Sequence, residues 1–494
     1  MNPVFLIDFY KVGHIDQYPK NVTQVWSNWT PRNSRIPGSK GVVHFGLNYF
    51  IKKYLLEEFN QNFFDLYWCD IEDEYKQVIK STLGVENPRT DHIQALWELG
   101  YLPIEIYSLP EGTTVPLGVP ALVITNTLPE FYWLPNYLET LLSNILWKPS
   151  TSATTAQNYR KIFMKWAKEA GETDFSFVDW QGHDFSMRGM SGIEDVVLSG
   201  MGHLLSFSGT DTLPAILAAQ KYYGASLSCG GSVPATEHSV MSAGEKESEF
   251  ETFERLITEV YPTGVVSIVS DTWDLWKVLT EYVEQLRDKI LARNGKVVIR
   301  PDSGDPVKIM IGNDDMLFST HKYNTASHPA YYGVLRLLEW QLGVTERENK
   351  LPLINNAGAI YGDSITPERA EAILEGTVNK LALSPYNVVL GIGSFTYEYV
   401  TRDVYGFAMK ATAVRKDGII IPIFKSPVTD NGGKISHKGI VSVWKNDSGE
   451  LYTKQMSTEE DLNNCEYQKV FGKNGRLLVD PTFDEIRARV REGL

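Results

Sequence analysis

The segment Lys296–Pro306, KVVIRPDSGDP, ends an apolar run in a cation, a carboxylate and a hydroxyl. Val297, Val298 and Ile299 suit a strand buried on both faces, because a continuous β-branched run leaves no polar face for solvent. Pro301, Gly304 and Pro306 prevent a longer strand or an immediate helix, so Arg300, Asp302 and Ser303 emerge together at the strand mouth. Carboxylates so placed accept hydroxyl protons and favour a developing positive charge, and local cations suit small anions. Taken alone, the same residues also fit a buried ion pair beside an ordinary turn.

Comparable runs end at His183-Asp184, at Gly209-Thr210-Asp211, near Glu237-His238, at Ser270-Asp271, at Gly362-Asp363-Ser364 and at Gly391-Ile392-Gly393. Most lead into helical periodicity. From Trp273 to Ile290, the residues Trp276, Leu279, Val283, Leu286 and Ile290 form one stripe, while Glu281, Glu284 and Asp288 fall elsewhere. Thr366-Pro367-Glu368 reads as a helix start, with a hydroxyl at the N-cap and proline in the first turn. Strand, polar loop and helix in repetition, with a charged or glycine-rich element at each strand mouth, predict a βα barrel whose ligand site is its carboxyl-end face. A doubly wound open sheet is the alternative, since alternation does not establish closure.

The 494 residues exceed one small core and predict two or three domains, or one barrel with a companion. With 43% apolar and 22% charged residues the chain is globular, not disordered. A net charge of -14 argues against binding to nucleic acid or anionic membrane, which requires a basic face, but leaves room for small polyanions held by a few local cations. Cys69, Cys229 and Cys465 are far apart, without a CxxC pair or neighbouring histidines. That pattern argues against a disulfide framework or a zinc site and fits a reducing cytoplasm. Val4–Ile7 is too short for a signal-peptide core, and nothing reaches the ~18 apolar residues of a membrane span.

Val4–Ile7 reads as a short strand leading into Asp8–His14, whose Phe9 and Tyr10 fit either an exposed strand end or core. Phe45–Phe59 has helical spacing, whereas Ile104–Thr125 alternates and breaks at proline and glycine, as in a small antiparallel sheet. Tyr132–Trp147 is helical again, and Lys148–Ser152 reads as a boundary or hinge. Ala411–Lys445 carries strand-like pieces around a turn at Thr429–Gly433, and Thr482–Glu485 is a capping box before a terminal helix. These last segments are too small to bury much alone and are expected to pack on the N-terminal sheet.

Eight blocks resemble, in order and spacing, the nicotinamide phosphoribosyltransferase family: DFYKVGH from Asp8, HDFSMRG from His183, FSGTDT from Phe207, SVPATEHS from Ser232, VSDTWD from Val269, IRPDSG from Ile299, YGDS from Tyr361 and TRD from Thr401. The resemblance runs from Asp8 to the terminal helix. It implies transfer of the phosphoribosyl group of 5-phosphoribosyl-1-pyrophosphate (PRPP) to nicotinamide, giving nicotinamide mononucleotide and pyrophosphate in NAD salvage. It implies a type II phosphoribosyltransferase fold: an irregular α/β barrel, here 151–400, with most of the active site, and a smaller mixed α+β domain from 1–150 and 401–494. A homodimer with active sites at the subunit interface, Mg2+ held mainly by ligand oxygens and water, and ATP as co-substrate belong to the same implication.

By this resemblance His238, Asp271 and Asp302 are the catalytic set, with Asp302 at the ribose hydroxyls, Asp271 near the sugar, and His238 carrying a phosphoryl group from ATP. Tyr10 and Phe185 would sandwich the pyridine ring beside Arg188 and Arg300. Gly362, Asp363, Gly393 and Ser394 would receive the 5′-phosphate, and Arg32, Arg402, Lys410 and Lys425 would grip phosphate or pyrophosphate, some of them from the partner subunit. Asp211 can accept a hydrogen bond from a carboxamide and would repel nicotinate; it also reads as a helix N-cap. Singly, these cations also fit solvated surface charges, the glycine loops tight turns, and His238 a core histidine.

The chain departs from the family pattern where GSGGG is Gly391-Ile-Gly-Ser-Phe395, HDFGYRG is HDFSMRG and DSYK is DFYK. Ser394 brings a Cβ that restricts how closely backbone approaches a phosphate. A nicotinate-specific relative, a non-catalytic ligand-binding protein, and a barrel glycosidase using Asp271 and Asp302 are the competing readings. The glycosidase explains neither the phosphate-type loops nor the basic residues.

Overall fold

The computed structural model describes residues 1–316, 327–425 and 436–492. Contacts divide the chain into two units, one from Met1–Thr154, Ala218–Ala225 and the stretch from Val400 onward, the other from Thr155–Leu217 and Ser226–Tyr399. The turn expected at Thr429–Gly433 lies outside the described residues. Among the described residues no helix is long and apolar enough to cross a membrane.

In the first unit a seven-stranded sheet joins the two ends of the sequence. Val22–Thr30 pairs antiparallel with Leu122–Asn126 on one side and with Ala408–Lys416 on the other. Ile104–Ser108 lies between Leu122–Asn126 and Gln468–Gly472, so the alternating stretch forms an antiparallel pair that a C-terminal strand extends. Ala408–Lys416, Ile419–Pro422 and Gln468–Gly472 thus find a core by adding to an existing sheet, whereas Ile440–Lys445 pairs with Leu451–Ser457 in a separate two-stranded sheet. The terminal helix Phe483–Glu492 starts at the expected capping box, with Thr482 N–H donating to Glu485 at 2.8 Å and Glu485 N–H to Thr482 at 3.3 Å.

Two expectations fail in this unit. Val4–Ile7 is not a strand: Pro3–Phe5 forms a 3-10 turn. Asn2 accepts the Val4 N–H at 3.2 Å and the Val4 carbonyl accepts the Tyr137 hydroxyl at 2.6 Å, which occupies the groups a neighbouring strand would use. Nor is Lys148–Ser152 a hinge, because it lies inside the helix Glu139–Glu169 with Pro149 in the interior. The hydroxyls of Thr151 and Ser150 are satisfied within the helix and by Phe45 respectively. Thr151 donates to the Trp147 carbonyl at 2.7 Å, and Ser150 bonds the Phe45 N–H at 3.2 Å and carbonyl at 3.0 Å. Gly46, at φ +101°, leaves room for the Pro149 ring, which a Cβ there would meet at 2.5 Å. The division between the units falls within this helix.

The second unit is built on a five-stranded parallel sheet in the order Gly182–Asp184, Val388–Ile392, Ala357–Tyr361, Val297–Arg300, Val266–Val269. Isolated parallel bridges lie outside this sheet's ladders at Asp184–Thr210, Gly209–Gly231 and Ala235–Ser267. The runs expected as strands before Asp211 and His238 are present only as these bridges. Gly209, Gly230, Gly231 and Pro234 are poor ladder residues, so pairing there stays local. The helix expected from Trp273 is capped by Asp274, which accepts the Lys277 N–H at 3.2 Å, and it is interrupted at Leu286 before Arg287–Leu291. Of its stripe, Leu279, Val283, Leu286 and Ile290 are buried, while Trp276 is partly buried against the same core. Thr366 caps Pro367–Glu375 by accepting the Arg369 N–H at 3.3 Å.

Candidate active site

Alternate residues of the parallel strands face one cavity of about 490 Å³, lined by Ser267, by Lys296, Val298 and Arg300, by Gly358 and Ile360, by Val389, and by His183 and Phe185. The Val297–Arg300 strand is therefore not buried on both faces. Val297 and Ile299 enter the core while Val298 and Arg300 line the cavity, and an apolar cavity wall has the same residue types as core. Asp211 and Ser232 join the lining where these strands end.

At that end Phe185 lies under Arg300, whose guanidinium carbon is 5.0 Å from the ring centroid. No ion pair joins Arg300 to Asp302 among the described residues, and Arg300 Nε is buried without a hydrogen bond there. Two glycines seat the ring. A Cβ on Gly391 would come within 2.3 Å of Phe185, and one on Gly362 within 2.9 Å. Gly391→Ala is expected to displace Phe185 and destabilise the unit by about 1–3 kcal/mol, the usual cost of overpacking. Gly393→Ala is the control, since a Cβ there meets nothing within 4 Å. Melting temperatures of both variants check this, and equal values would show that the Phe185 seat is soft.

Asp211 is held by neighbours that were not singled out in the sequence. Its Oδ1 accepts from His183 Nε2 at 3.0 Å and from the Ser232 hydroxyl, while its Oδ2 has no hydrogen bond among the described residues. Burial raises the Asp211 carboxyl, but hydrogen bonds from His183 and Ser232 and the charges of His183 and Arg300 outweigh it and bring the pKa below the usual value. The carboxylate serves these side chains and does not cap the helix Leu213–Tyr223. His183 and Ser232 each stand inside a block quoted above, so the signal was present without the pairing.

Asp271 organises the next strand mouth. Its Oδ2 accepts the Asp302 N–H at 2.8 Å and the Ser303 hydroxyl at 2.6 Å, while its Oδ1 is buried without a hydrogen bond among the described residues. His238 Nε2 lies 3.9 Å from that free oxygen, an electrostatic distance and not a hydrogen bond. The ring is oriented instead by Thr272, whose hydroxyl is 3.1 Å from Nδ1. His238 is half exposed at the first position of the short helix His238–Ser242, not in a core. Asp302 leans over Gly362, with Oδ1 3.6 Å from where a Cβ would stand. Burial and the charges of Asp363, Asp271, Asp302 and Asp305 all push the Tyr361 hydroxyl upward, which marks a concentration of negative charge. Among the described residues no three His, Cys, Asp or Glu groups form a metal cage.

The phosphate-type loops adjoin these residues. Gly362-Asp363-Ser364 leaves its strand with Asp363 exposed and Ser364 at φ +48°. Gly393 precedes the one-turn helix Ser394–Tyr397. The Ser394 hydroxyl points at Gly189, where a Cβ would stand 2.1 Å from it, so the glycine of the Arg188 turn accommodates the side chain that replaces a family glycine. Arg188 itself is exposed.

The remaining expected residues belong to the first unit. The Lys410 amine is pulled below its usual range by burial and by the positive charges of Arg32 and Lys425, which places these three cations together. Arg32 is anchored by its Nε donating to the Gly406 carbonyl at 2.7 Å. Burial raises the Tyr10 hydroxyl, with Glu139 and Asp8 adding to the rise and Arg402 opposing it, so Arg402 lies near Tyr10. Tyr10 is 60% exposed, which decides for the exposed reading over core.

The Nicotinate phosphoribosyltransferase (NAPRTase) family model matches residues 180–473, and that of the nicotinamide phosphoribosyltransferase N-terminal domain matches 2–64. Nicotinamide phosphoribosyltransferase of Acinetobacter baylyi is 46% identical, covering 100% of this chain and 98% of its own. That of Mycoplasma pneumoniae is 33% identical over 88% of this chain and 96% of its own. Among solved structures, nicotinate-nucleotide pyrophosphorylase from Pyrococcus furiosus has a TM-score of 0.55, and human nicotinic acid phosphoribosyltransferase 0.52. Each is 15% identical, covers 98% of this chain and 93% of its own, and shares the mixed α/β fold. The chain belongs to the nicotinate and nicotinamide phosphoribosyltransferase family.

Proposed function

We propose that the chain transfers the phosphoribosyl group of PRPP to nicotinamide, releasing pyrophosphate and forming nicotinamide mononucleotide in NAD salvage. The observation that carries this reading is the Phe185 ring with the Arg300 guanidinium against it and, lining the same cavity, an Asp211 carboxylate held below its usual pKa whose Oδ2 has no hydrogen bond among the described residues. Displacing pyrophosphate from the anomeric carbon passes through a cationic sugar, and Asp271 and Asp302 supply negative charge where that cation forms. The parallel strands and their bridges support an irregular barrel with the site at its carboxyl end. Incubation with PRPP, Mg2+ and either nicotinamide or nicotinate, with both mononucleotides resolved by mass, tests the reading. Nicotinate mononucleotide as the major product would reassign the base, and no product of either kind would overturn the activity.

Mg2+ fits the carboxylates gathered near Tyr361, since this ion keeps water and binds substrate phosphates. Asp271 and Asp302 would hold it through water, and it would neutralise the pyrophosphate leaving group. Two subunits are proposed to share each site, with Tyr10 acting on its neighbour. Mixing inactive Tyr10→Ala with inactive Asp302→Ala protein under subunit exchange should then restore activity at some sites; no recovery in demonstrated heterodimers would make each subunit self-sufficient. The free thiols of Cys69 and Cys465 suit a cytoplasmic setting.

ATP is proposed to phosphorylate His238 and to stimulate synthesis without being strictly required. The exposed imidazole is accessible, and Thr272 on Nδ1 leaves Nε2 for the phosphoryl group. With γ-labelled ATP an acid-labile, base-stable phosphoprotein is expected. His238→Ala should abolish both label and stimulation while weak transfer persists. Label surviving that substitution would remove His238 from the role.

A further inference from the structure

His203, on the helix Ile193–Leu204, is fully buried, and the chemistry above does not use it. Its Nε2 lies 2.9 Å from the Gly209 carbonyl, and its Nδ1 lies 2.7 Å from the Tyr397 hydroxyl. A carbonyl can only accept, so Nε2 is the donor. Burial disfavours the charged ring more than the nearby Asp184 favours it, so the imidazole is neutral and Nδ1 accepts the Tyr397 proton. Tyr397 is itself buried and keeps that proton.

The two partners belong to opposite sides of the site. Gly209 carries the backbone against which His183 rests, since a Cβ on it would stand 2.7 Å from His183 Nδ1, and its carbonyl also accepts the Asp184 N–H at 3.1 Å. Two residues on, the Asp211 N–H donates to the Asp184 carbonyl at 3.0 Å. Tyr397 closes the short helix that Gly393 opens, its N–H donating to the Gly393 carbonyl at 3.2 Å. One imidazole therefore joins the turn that bears Asp211 to the loop at Gly393-Ser394.

We propose that His203 is a positioning residue that couples the base seat at His183 and Asp211 to the phosphate seat at Gly393-Ser394, so that occupancy of one organises the other. This rests on the assignment of those seats under the proposed function. A rigid two-ended tie transmits a shift, because a buried hydrogen bond lost at either end leaves an unpaired polar group.

The test uses Tyr397→Phe, which removes only the hydroxyl, and His203→Gln, which keeps one donor and one acceptor. In the intact protein, nicotinamide affinity is measured calorimetrically with and without saturating ribose 5-phosphate. The ratio of the two is the coupling. Tyr397→Phe should reduce it by about three- to tenfold, the worth of one buried hydrogen bond, while ribose 5-phosphate alone binds as before and His203→Gln retains most of it. Unchanged coupling in folded Tyr397→Phe protein would overturn the proposal, and a lower melting temperature with intact coupling would leave His203 merely structural. If neither ligand binds wild-type protein, the seats are misassigned and hydrogen exchange on the free protein decides the tie. Faster exchange in Tyr397→Phe at both 209–212 and 394–398 supports it, and faster exchange confined to 394–398 refutes it.

Discussion

Asp271→Asn is expected to lower kcat/KM for PRPP by about a hundred- to a thousandfold, the range seen when one preorganised electrostatic group is lost. The side chain has two separable tasks. Oδ2 holds the Asp302 N–H and the Ser303 hydroxyl, which a carboxamide oxygen in the same place would still accept. Oδ1 has no hydrogen bond among the described residues, so its charge is not spent within the fold. Asparagine keeps shape and most of the loop geometry while removing the charge. The deficit should therefore fall on kcat more than on KM, with a melting temperature close to wild type. Asp271→Ala would lose the loop anchor as well, and its melting temperature should drop. Initial rates across PRPP concentrations, with thermal melts on the same preparations, separate the two tasks. An Asn variant within about tenfold of wild type would mean that Asp271 is a loop anchor and that the sugar cation is stabilised elsewhere.

Much of this site was legible because its chemistry sits at strand ends. A run such as Val297–Ile299 must be strand, the charged residues after it must emerge at its carboxyl end, and parallel strands bring such ends together. Pairing was not legible. Asp211 meets His183 and Ser232 because three short parallel pieces bridge at Asp184–Thr210 and Gly209–Gly231, and no local propensity encodes such contacts. The cavity was missed for a related reason, since Val298 facing an apolar cavity and Val297 facing the core look alike in sequence. Pro149 and the hydroxyls around it read as a loop, yet Thr151 found a helical carbonyl, Ser150 found Phe45, and the proline ring found the space above Gly46. Val4–Ile7 has strand composition but no free neighbour, because Asn2 and Tyr137 take its polar groups first.

Base choice should turn on the charge of Asp211. Its Oδ2 can accept the carboxamide N–H of nicotinamide, whereas the carboxylate of nicotinate at that oxygen would meet like charge. Two unit charges about 4 Å apart repel by roughly 4 kcal/mol at an effective dielectric near 20. The Asp211 side chain is 45% exposed, and solvent screening cuts this to about 2 kcal/mol, or roughly thirtyfold in relative kcat/KM. Arg300 pulls the other way, because a cation by the ring attracts nicotinate, so removing Asp211 leaves a pocket with net positive character. Asp211→Asn keeps an acceptor oxygen and deletes the charge; it should raise use of nicotinate with modest loss toward nicotinamide. Asp211→Ser deletes both and should lose nicotinamide as well. The His183 ring would then lack its carboxylate partner, so a small fall in melting temperature is expected in both variants. Competition between the two bases in one reaction, with both mononucleotides counted by mass, gives the ratio directly. If Asp211→Asn leaves that ratio at its wild-type value, selection lies with another residue of the cavity and Asp211 serves only to hold His183 and Ser232.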